Sequence, residues 1–260
     1  MRVLAVGDVC YSEGSEAALR IIPELKRSKG IDLIIINGEN SADGNGITPQ
    51  SAEMLFAAGA DVITGGNHTL RRREIHTMLD ENPYLLRPHN IEADYGSGYC
   101  LIDMGRCQAA VINLSGQIYL EAQKASNPFL AADELINRAR DDGANLIFVD
   151  FHAEATSEKR ALGFYLDGRV TAVFGTHTHV QTADAQVLPM GTGYITDLGM
   201  TGVENSVLGV KKDIIISRLK DGNQAKFEHE SEGDCALSGC IFDVDIKSGI
   251  TTAAQTIYIK

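Results

Sequence analysis

The sequence has 260 residues, of which 44% are hydrophobic, and a formal net charge of −12. This length allows one large α/β domain with a packed core, and the acidic balance argues against a broad nucleic-acid-binding surface. No apolar run approaches the roughly 20 residues that span a bilayer. The N-terminus lacks the long apolar region of a signal peptide, so we expect a cytoplasmic protein.

Five cysteines occur without a CxxC pair, which argues against a disulfide scaffold in a chain of this length. Cys235 and Cys240 leave two interpretations open. They could bind a metal ion together, or they could be two half-buried thiols near a strand.

The first third of the chain alternates between strand and helix patterns. Short apolar runs predict strands at Arg2–Gly7, Asp32–Ile36 and Asp61–Thr64. Helical spacing, with Thr48-Pro49 as a helix start, predicts helices over Ser15–Lys26, Gln50–Ala58 and Arg71–Asp80. This order predicts a largely parallel or mixed sheet covered by helices.

The rest of the chain contains more strands and fewer helices. A helix is predicted over Pro128–Asp142, and strands at Cys107–Leu114, Leu146–Phe151, Val170–Phe174 and Gly193–Thr196. In the tail we predict antiparallel strands without intervening helices, at Lys212–Leu219, Ala225–Glu230, Cys240–Val244 and Gln255–Ile259. We therefore expect an α/β protein in which residues 1–260 form a single domain.

Potential metal ligands follow the predicted strands at the same end of each. They are Asp8, Glu39, Asn40, Asn67, His68, His152, His177 and His179. Ligands of open α/β sheets bind outside the carboxyl ends of the strands, so these side chains are expected to meet. This mixture of oxygen and nitrogen donors suits Mn, Fe, Zn or Co, and it suffices for two metals with one bridging carboxylate.

Each of these residues also has an ordinary structural explanation. Asp8 could cap a helix or turn, Asn67 could cap the next helix, and His152 could be a hydrogen-bonded core histidine. His177 and His179 are more specific, because alternate residues of an extended segment face the same side. The shared position at strand ends makes the set far more specific than any member.

Other histidines and nearby segments are assigned smaller roles. His76 and His89 lie away from the strand ends and are expected to be structural, while His229 is expected to face solvent. Arg71 to Arg73 could be a solvated helix start or contact a phosphate, and Ser41–Gly46 could shape a pocket or be a flexible turn. Glu154 and Thr156 are candidates to orient the imidazole of His152.

These motifs resemble those of the calcineurin-like metallophosphoesterases, whose pattern is D-x-H, GD-x-x-D, GNH, a later His and G-H-x-H. The counterparts here are Asp8-Val9-Cys10, Asn37-Gly38-Glu39-Asn40, Gly66-Asn67-His68, His152 and Gly175-Thr176-His177-Thr178-His179. Three departures stand out. Cys10 replaces the first-motif His, Glu39 replaces the second-motif Asp, and Thr69 replaces the acid that usually follows GNH.

The departures are similar to those of the YmdB-like family of bacterial 2′,3′-cyclic-nucleotide 2′-phosphodiesterases. The segments INGEN-x-ADG-x-G, GGNHT, DFHAE-x-TSEK and GTHTHVQTAD carry this resemblance, which covers essentially the whole chain. It implies the calcineurin-like metallophosphoesterase fold, in which mixed β-sheets are sandwiched by helices and the metal site lies at the C-terminal ends of strands.

The resemblance also implies two divalent or trivalent metal ions, iron or manganese, with Glu39 shared. One metal would be held by Asp8, Glu39, Asn40 and His179, with Asn40 in the place of the missing first-motif His. The other would be held by Glu39, Asn67, His152 and His177. His68 would be the proton donor and not a ligand.

The implied activity is hydrolysis of 2′,3′-cyclic nucleotides, with cyclic AMP and other phosphodiesters as side substrates. Two metals roughly 3.5–4 Å apart stabilise the attacking and departing oxygens of such a reaction. Two alternatives remain: a phosphomonoesterase or nuclease on the same scaffold, and a regulatory protein acting through partners. The expected partner is a small cyclic nucleotide or phosphodiester, with no membrane and, among nucleic acids, only short RNA ends. Homo-oligomerisation is left open.

Overall fold

The computed structural model describes residues Met1–Lys260 and contains thirteen β-strands and six α-helices. The strands are β1 (Arg2–Val6), β2 (Asp8–Val9), β3 (Leu33–Asn37), β4 (Val62–Thr64), β5 (Tyr99–Asp103), β6 (Gln108–Ser115), β7 (Leu146–His152), β8 (Ala172–Thr176), β9 (Gln186–Val187), β10 (Gly193–Ile195), β11 (Met200–Val203), β12 (Cys235–Val244) and β13 (Thr251–Ile259). The helices are α1 (Tyr11–Lys29), α2 (Pro49–Ala58), α3 (His76–Glu81), α4 (Pro128–Asp141), α5 (Thr156–Leu166) and α6 (Lys212–Asp221). None of these helices combines the length and the apolar character required to cross a bilayer.

The strands form two mixed sheets. The first has the order β2-β11-β12-β1-β3-β4, with β13 beside β12, and the second has the order β5-β6-β7-β8-β10-β9. Strands β1, β3 and β4 run parallel in the first sheet, and β6, β7, β8 and β10 run parallel in the second. Because parallel strands end at the same edge, residues that follow them are brought together there.

Both faces of the central strands are buried, which explains their continuous apolar runs. In β1, Val3 joins the apolar layer between the two sheets, which also contains Phe148 and Phe174. The next residue, Leu4, belongs to the layer between the first sheet and α1, α2 and α3. A third layer, which includes Leu162 of α5, lies between the second sheet and α4 and α5. The result is the predicted arrangement of mixed sheets sandwiched by helices.

Most of the predicted elements are confirmed with small shifts in their ends. The predicted strand Val170–Phe174 begins two residues later, as β8, because Val170 packs in the helix-side layer before the strand starts. The Thr48-Pro49 helix start is correct: the Thr48 hydroxyl accepts a hydrogen bond from the Ser51 N–H, and Pro49 is the first residue of α2. Strands β2, β5, β9 and β11 and helix α5 were not predicted.

The prediction for residues 212–230 was wrong. The run Ile214-Ile215-Ile216 favours a strand, yet this segment is helix α6, which has an acidic residue in its first turn, basic residues in its last turn, and Gly222 as a left-handed C-cap. None of the residues of α6 is buried, so packing against a sheet does not override the local signals for a helix. Residues 225–230 form no strand, and His229 alone among them pairs, in an isolated bridge with Val210.

The two last predicted strands are confirmed and are longer than expected. They are β12 and β13, paired antiparallel along their length. Cys235 and Cys240 both lie on β12, five positions apart, so their side chains point to opposite faces. Cys240 is buried between the sheets, whereas Cys235 packs against the helix-side layer. This placement excludes a metal site shared by the two, and all five cysteines are free thiols.

The predicted helix Arg71–Asp80 was wrong in its first half. Two 3₁₀ turns, Thr69–Arg71 and Arg73–Ile75, precede the short helix α3. They are separated by Arg72, whose backbone is extended at φ −103° and ψ 118°. The Arg72 guanidinium donates to the backbone oxygens of Asn45 and Asp43, and these tertiary contacts accompany the break in the helix.

Candidate metal centre

All eight residues predicted for the site lie in one cluster at the carboxyl edge of the two sheets. Strand β1 leads into Asp8, β3 into Glu39 and Asn40, and β4 into Asn67 and His68. His152 ends β7, and the loop after β8 carries the two remaining histidines, His177 and His179.

Glu39 occupies the middle of this cluster and is 1% exposed. Its Oε1 lies 2.8 Å from Asn40 Nδ2, 3.4 Å from His152 Nε2 and 3.3 Å from His68 Nδ1. Its Oε2 accepts a hydrogen bond of 2.8 Å from the His68 backbone N–H. Glu39 therefore contacts residues of both predicted metal sites and the predicted proton donor.

One half of the cluster is built around His152. Its Nε2 lies 2.9 Å from Asn67 Oδ1 and 3.1 Å from His177 Nδ1. Ligand atoms of Glu39, His152 and His177 all lie within 4.8 Å of one another, which is a spacing that one metal ion can bridge.

The other half contains Asp8, Asn40 and His179. Asp8 Oδ1 lies 3.8 Å from His179 Nε2, and Asn40 Nδ2 lies 3.3 Å from the same nitrogen. Cys10, which replaces the first-motif His, pairs with Asn40 in a parallel bridge, and its Sγ lies 3.7 Å from His179 Nδ1. Asn40 is thus next to the position that the missing histidine would have served.

Two oxygen atoms in this half have no hydrogen-bond partner although they are buried. They are Asp8 Oδ1 and Asn40 Oδ1, the only such side-chain atoms in the chain. Buried polar atoms are almost always paired, because leaving one unpaired forfeits its interaction with water without replacement. Two unpaired oxygens beside an imidazole form the donor set that a hard or borderline cation takes. The residues present therefore fit a bound metal.

The charges of the cluster lead to the same conclusion. Burial raises the pKa of Asp8 above its usual value. Burial alone would also raise the pKa of Glu39, but the neighbouring His152 and His68 lower it well below its usual range. Burial lowers the pKa of His152, and the carboxylates of Glu39 and Asp8 outweigh that effect and raise it to about 9. Two buried carboxylates thus require positive charge beside them.

His177 differs from His152 in its protonation. Burial and the neighbouring His152 lower the pKa of His177 to about 3, so its imidazole is neutral at physiological pH. Its Nε2 lies 3.0 Å from Glu154 Oε2, and its Nδ1 faces the cluster. A neutral imidazole whose other nitrogen is hydrogen-bonded is the usual state of a histidine metal ligand.

The imidazole of His152 is oriented by Thr176 and Asp150. His152 Nδ1 lies 2.9 Å from Thr176 Oγ1, and the Thr176 hydroxyl donates to Asp150 Oδ1 at 2.7 Å. Since the hydroxyl hydrogen is used on Asp150, the Thr176 oxygen accepts from His152 Nδ1–H. Nε2 is therefore the nitrogen that faces Glu39 and Asn67, and it would offer its lone pair to a metal bound there.

The sequence-based prediction that Glu154 and Thr156 orient His152 is not supported by the structure. Glu154 contacts His177, while Thr156 begins α5. Asp150 precedes His152 by two residues on β7, so both side chains lie on one face of the strand. The two-residue spacing of Asp150 and His152 could therefore have identified Asp150 as part of the network that orients His152.

Asp150 also joins the two sheets beneath the cluster. Its Oδ2 accepts hydrogen bonds from Asn37 Nδ2 at 3.0 Å and from the Thr64 hydroxyl. Asn37 and Thr64 belong to the first sheet, whereas Asp150 belongs to the second. This buried hydrogen-bond network fixes the two halves of the cluster relative to each other.

The glycine before Asn67 is required by close packing. A Cβ atom added to Gly66 would lie 2.3 Å from Glu39 Oε2 and 2.3 Å from His152 Nε2. Any side chain at this position would displace the Glu39 carboxylate or the His152 imidazole.

His68 stands apart from the other residues because its side chain is 29% exposed. Its Nδ1 faces Glu39, and its Nε2 makes no hydrogen bond. The ring therefore has one nitrogen held by the cluster and one available to a substrate.

The structure also decides the predictions for the Ser41–Gly46 loop, for Arg72 and for His76. Arg72 ties the Ser41–Gly46 loop to the turn that follows His68, so the loop is fixed in place and Arg72 is engaged in a structural contact. His76 stacks on Tyr95 with ring centroids 4.4 Å apart, as expected for a structural residue.

The remaining two histidines have different outcomes. His89 Nε2 lies 3.9 Å from Glu134 Oε1, away from the cluster, in agreement with a structural role. His229 was expected to face solvent, and that prediction was wrong. Its ring is half-buried and stacks on Tyr11, with centroids 4.7 Å apart, because the bridge to Val210 folds the segment back over α1.

Comparison with known proteins places these features in a family. Residues 4–257 match the family model described as YmdB-like protein. The chain is 47% identical over 261 residues to the 2′,3′-cyclic-nucleotide 2′-phosphodiesterase of Bacillus subtilis, covering 100% of this chain and 97% of the relative.

Solved structures agree with the family comparison. A crystal structure of a novel phosphatase from Mycoplasma pneumoniae superposes with a TM-score of 0.92 at 33% identity, covering 100% of this chain and 93% of the other. A crystal structure of a hypothetical protein from Thermus thermophilus gives a TM-score of 0.90 at 35% identity, covering 99% and 98%. The predicted fold class and the predicted class of enzyme, a metallophosphoesterase, are confirmed. The chain belongs to the YmdB-like family.

Proposed function

We propose that this protein is a metal-dependent phosphodiesterase that hydrolyses 2′,3′-cyclic nucleotides, with cyclic AMP and other phosphodiesters as side substrates. The observation that carries the proposal is the pair of buried, unpartnered oxygens, Asp8 Oδ1 and Asn40 Oδ1, beside a cluster of imidazoles. The activity named for the Bacillus subtilis relative supports the choice of substrate. One domain across residues 1–260 is part of the proposal, supported by the apolar layer that the two sheets share.

We assign the metal ligands as two sets that share Glu39. Asp8, Glu39, Asn40 and His179 would hold one ion, and Glu39, Asn67, His152 and His177 would hold the other. The contact of Glu39 with members of both halves supports its shared position. Iron or manganese is our choice of metal, since both accept this mixture of carboxylate, amide and imidazole donors.

The bound ions would supply positive charge to the phosphate and activate water at neutral pH. His68 supplies the proton. When the bond between phosphorus and the 2′ oxygen breaks, His68 Nε2–H donates its proton to that oxygen, and the phosphate stays on the 3′ oxygen. Glu39 holds His68 in place, because it accepts hydrogen bonds from the His68 backbone N–H and contacts Nδ1. Such a proton transfer contributes about 10²–10⁴-fold to the rate.

A substrate panel with product analysis tests the proposal. Protein reconstituted with Mn²⁺ would be given 2′,3′-cyclic AMP, 3′,5′-cyclic AMP, a nucleoside monophosphate and a short RNA. We expect the first to be consumed fastest, with the nucleoside 3′-phosphate as product. Faster release of inorganic phosphate from the monoester, or faster cutting of RNA, would instead establish the phosphomonoesterase or nuclease alternative. No hydrolysis at any pH would favour a regulatory protein.

A further inference from the structure

A buried ion pair lies behind the loop that carries His177 and His179. Lys159 Nζ and Asp197 Oδ2 are 2.6 Å apart, and both side chains are 1% exposed. Taking two charges out of water is costly, so a buried pair by itself contributes little to net stability. Its position therefore requires an explanation other than stability alone.

The two residues reach the loop from opposite directions. Lys159 lies on α5, the helix that follows the His152 strand, and its Nζ donates to the Thr176 backbone oxygen at 2.8 Å. Asp197 follows β10, and its Oδ2 accepts from the Thr178 N–H at 3.1 Å. The ion pair thus contacts the backbone of the residues on either side of His177.

The loop itself adopts a conformation that needs such support. His177 has φ 101° and His179 has φ 63°, in the left-handed region that residues with a Cβ rarely occupy. Backbone of this kind persists where surrounding contacts over-determine it. The other oxygen of Asp197 accepts from the Gly199 N–H at 2.8 Å, which anchors the carboxylate from a further side.

We infer that Lys159 and Asp197 are positioning residues that hold His177 and His179 in the conformation in which both imidazoles address the metal cluster. This inference rests on the proposed function, because it concerns the ligands of the proposed metals. Neither residue contacts the site directly. Both act through the backbone of the loop between β8 and β10.

The test compares the double variant K159M/D197N with wild type. Replacing both charges avoids leaving one of them buried and unpaired. A second pair of neutral replacements, K159Q/D197N, which keeps a polar group at both positions, provides a second test if K159M/D197N does not fold. The matched control is L166A, which truncates a fully buried side chain on the same helix, away from the ion pair.

The first readout is calorimetric titration of metal-free protein with Mn²⁺. We expect the affinity of K159M/D197N to fall about tenfold or more at both sites, the size seen when partners behind metal ligands are removed. At saturating Mn²⁺ we expect kcat to recover to within about threefold of wild type, because the catalytic groups are unchanged. A merely structural role would lower stability without shifting the Mn²⁺ dependence.

The second readout is amide hydrogen exchange of the metal-free proteins. Faster exchange confined to residues 175–182 in the ion-pair variants supports the inference. Unchanged Mn²⁺ affinity in both ion-pair variants, or an equal loss in L166A, overturns it while leaving the proposed function intact. A wild-type protein that binds no Mn²⁺ overturns both.

Discussion

Two parts of the site are built differently. One is the wall formed by the ends of strands, and the other is the set of loops that face this wall. Asp8, Glu39 and His152 lie at strand ends and are at most 1% exposed. His68 and His179 lie in a turn and a loop, with side chains 29% and 13% exposed. The wall is fixed by two sheets, whereas the loops depend on a few specific contacts. We therefore expect substitutions in the wall to remove metal, and substitutions in the loops to change chemistry or affinity.

The largest effect is expected for Glu39→Ala in the wall. This variant removes the carboxylate that contacts both halves of the cluster, so both metals should be lost and turnover should become undetectable. The measurement is metal content after dialysis, by elemental analysis. Asp8→Ala and His179→Ala serve as comparisons and should each weaken one metal preferentially. Metal analysis that finds both sites full in Asp8→Ala would refute the division into two ligand sets.

The second prediction concerns His68 on the exposed side. His68→Ala should retain both metals yet lower kcat by about 10²–10⁴-fold, because only the proton donor is removed. Metal content and steady-state kinetics would be measured on the same preparation. An equal loss of metal and activity would show that His68 acts as a ligand, and the contrast between wall and loop would fail.

The third prediction tests the hydrogen bond between His152 and Thr176, which lies behind the wall. Thr176→Val nearly preserves shape but removes the oxygen that accepts from His152 Nδ1–H. We expect metal affinity to fall by about 10–100-fold, as for other hydrogen-bond partners of ligating histidines. Thr171→Val is the matched control. Thr171 is also buried, but its hydroxyl oxygen accepts from the Ile147 N–H at the far end of the sheet.

Calorimetric titration with Mn²⁺ separates these two threonine variants. The control should lose stability without losing metal affinity. If Thr176→Val and Thr171→Val bind Mn²⁺ equally well, the orientation of His152 does not depend on the Thr176 hydroxyl.

The smallest effect is expected on α6, which supplies none of the site residues. Leu219 is 84% exposed, and no residue of this helix is buried. Leu219→Ala should change the free energy of unfolding by no more than about 0.5 kcal/mol and leave kcat unchanged. Denaturant unfolding at several protein concentrations checks this. A large, concentration-dependent loss would mean that Leu219 packs against a second copy of the chain.

The parts of the fold that were predictable are those with both faces buried. The apolar runs of β1, β3 and β7 leave little choice of structure, because a short stretch with apolar residues on both sides fits a central strand. The Lys212–Asp221 segment was mispredicted for the complementary reason. It lies on the surface, where local helix capping and end charges outweigh the β preference of three isoleucines.

For the site, the positions of the main residues were predictable from the sequence, but most of the contacts that orient them were not. The positions of Asp8, Glu39 and His152 at the ends of predicted strands were enough to predict that they lie at one edge, because parallel strands end together. Of the contacts that orient them, only the two-residue spacing of Asp150 and His152 on β7 was readable, since Thr176 looks like an ordinary strand residue. Lys159 and Asp197 are 38 positions apart in sequence, and only folding brings them together behind the loop.

The central claim is our proposal that this cluster, with Glu39 shared by two ligand sets, would hold two metal ions and hydrolyse a 2′,3′-cyclic nucleotide. The most direct test is the metal content of anaerobically purified protein, measured together with its activity on 2′,3′-cyclic AMP. We predict two ions per chain, iron or manganese, and formation of the nucleoside 3′-phosphate that is lost with a chelator and restored by metal. Full activity in metal-free protein, or two bound ions without hydrolysis, would contradict the account.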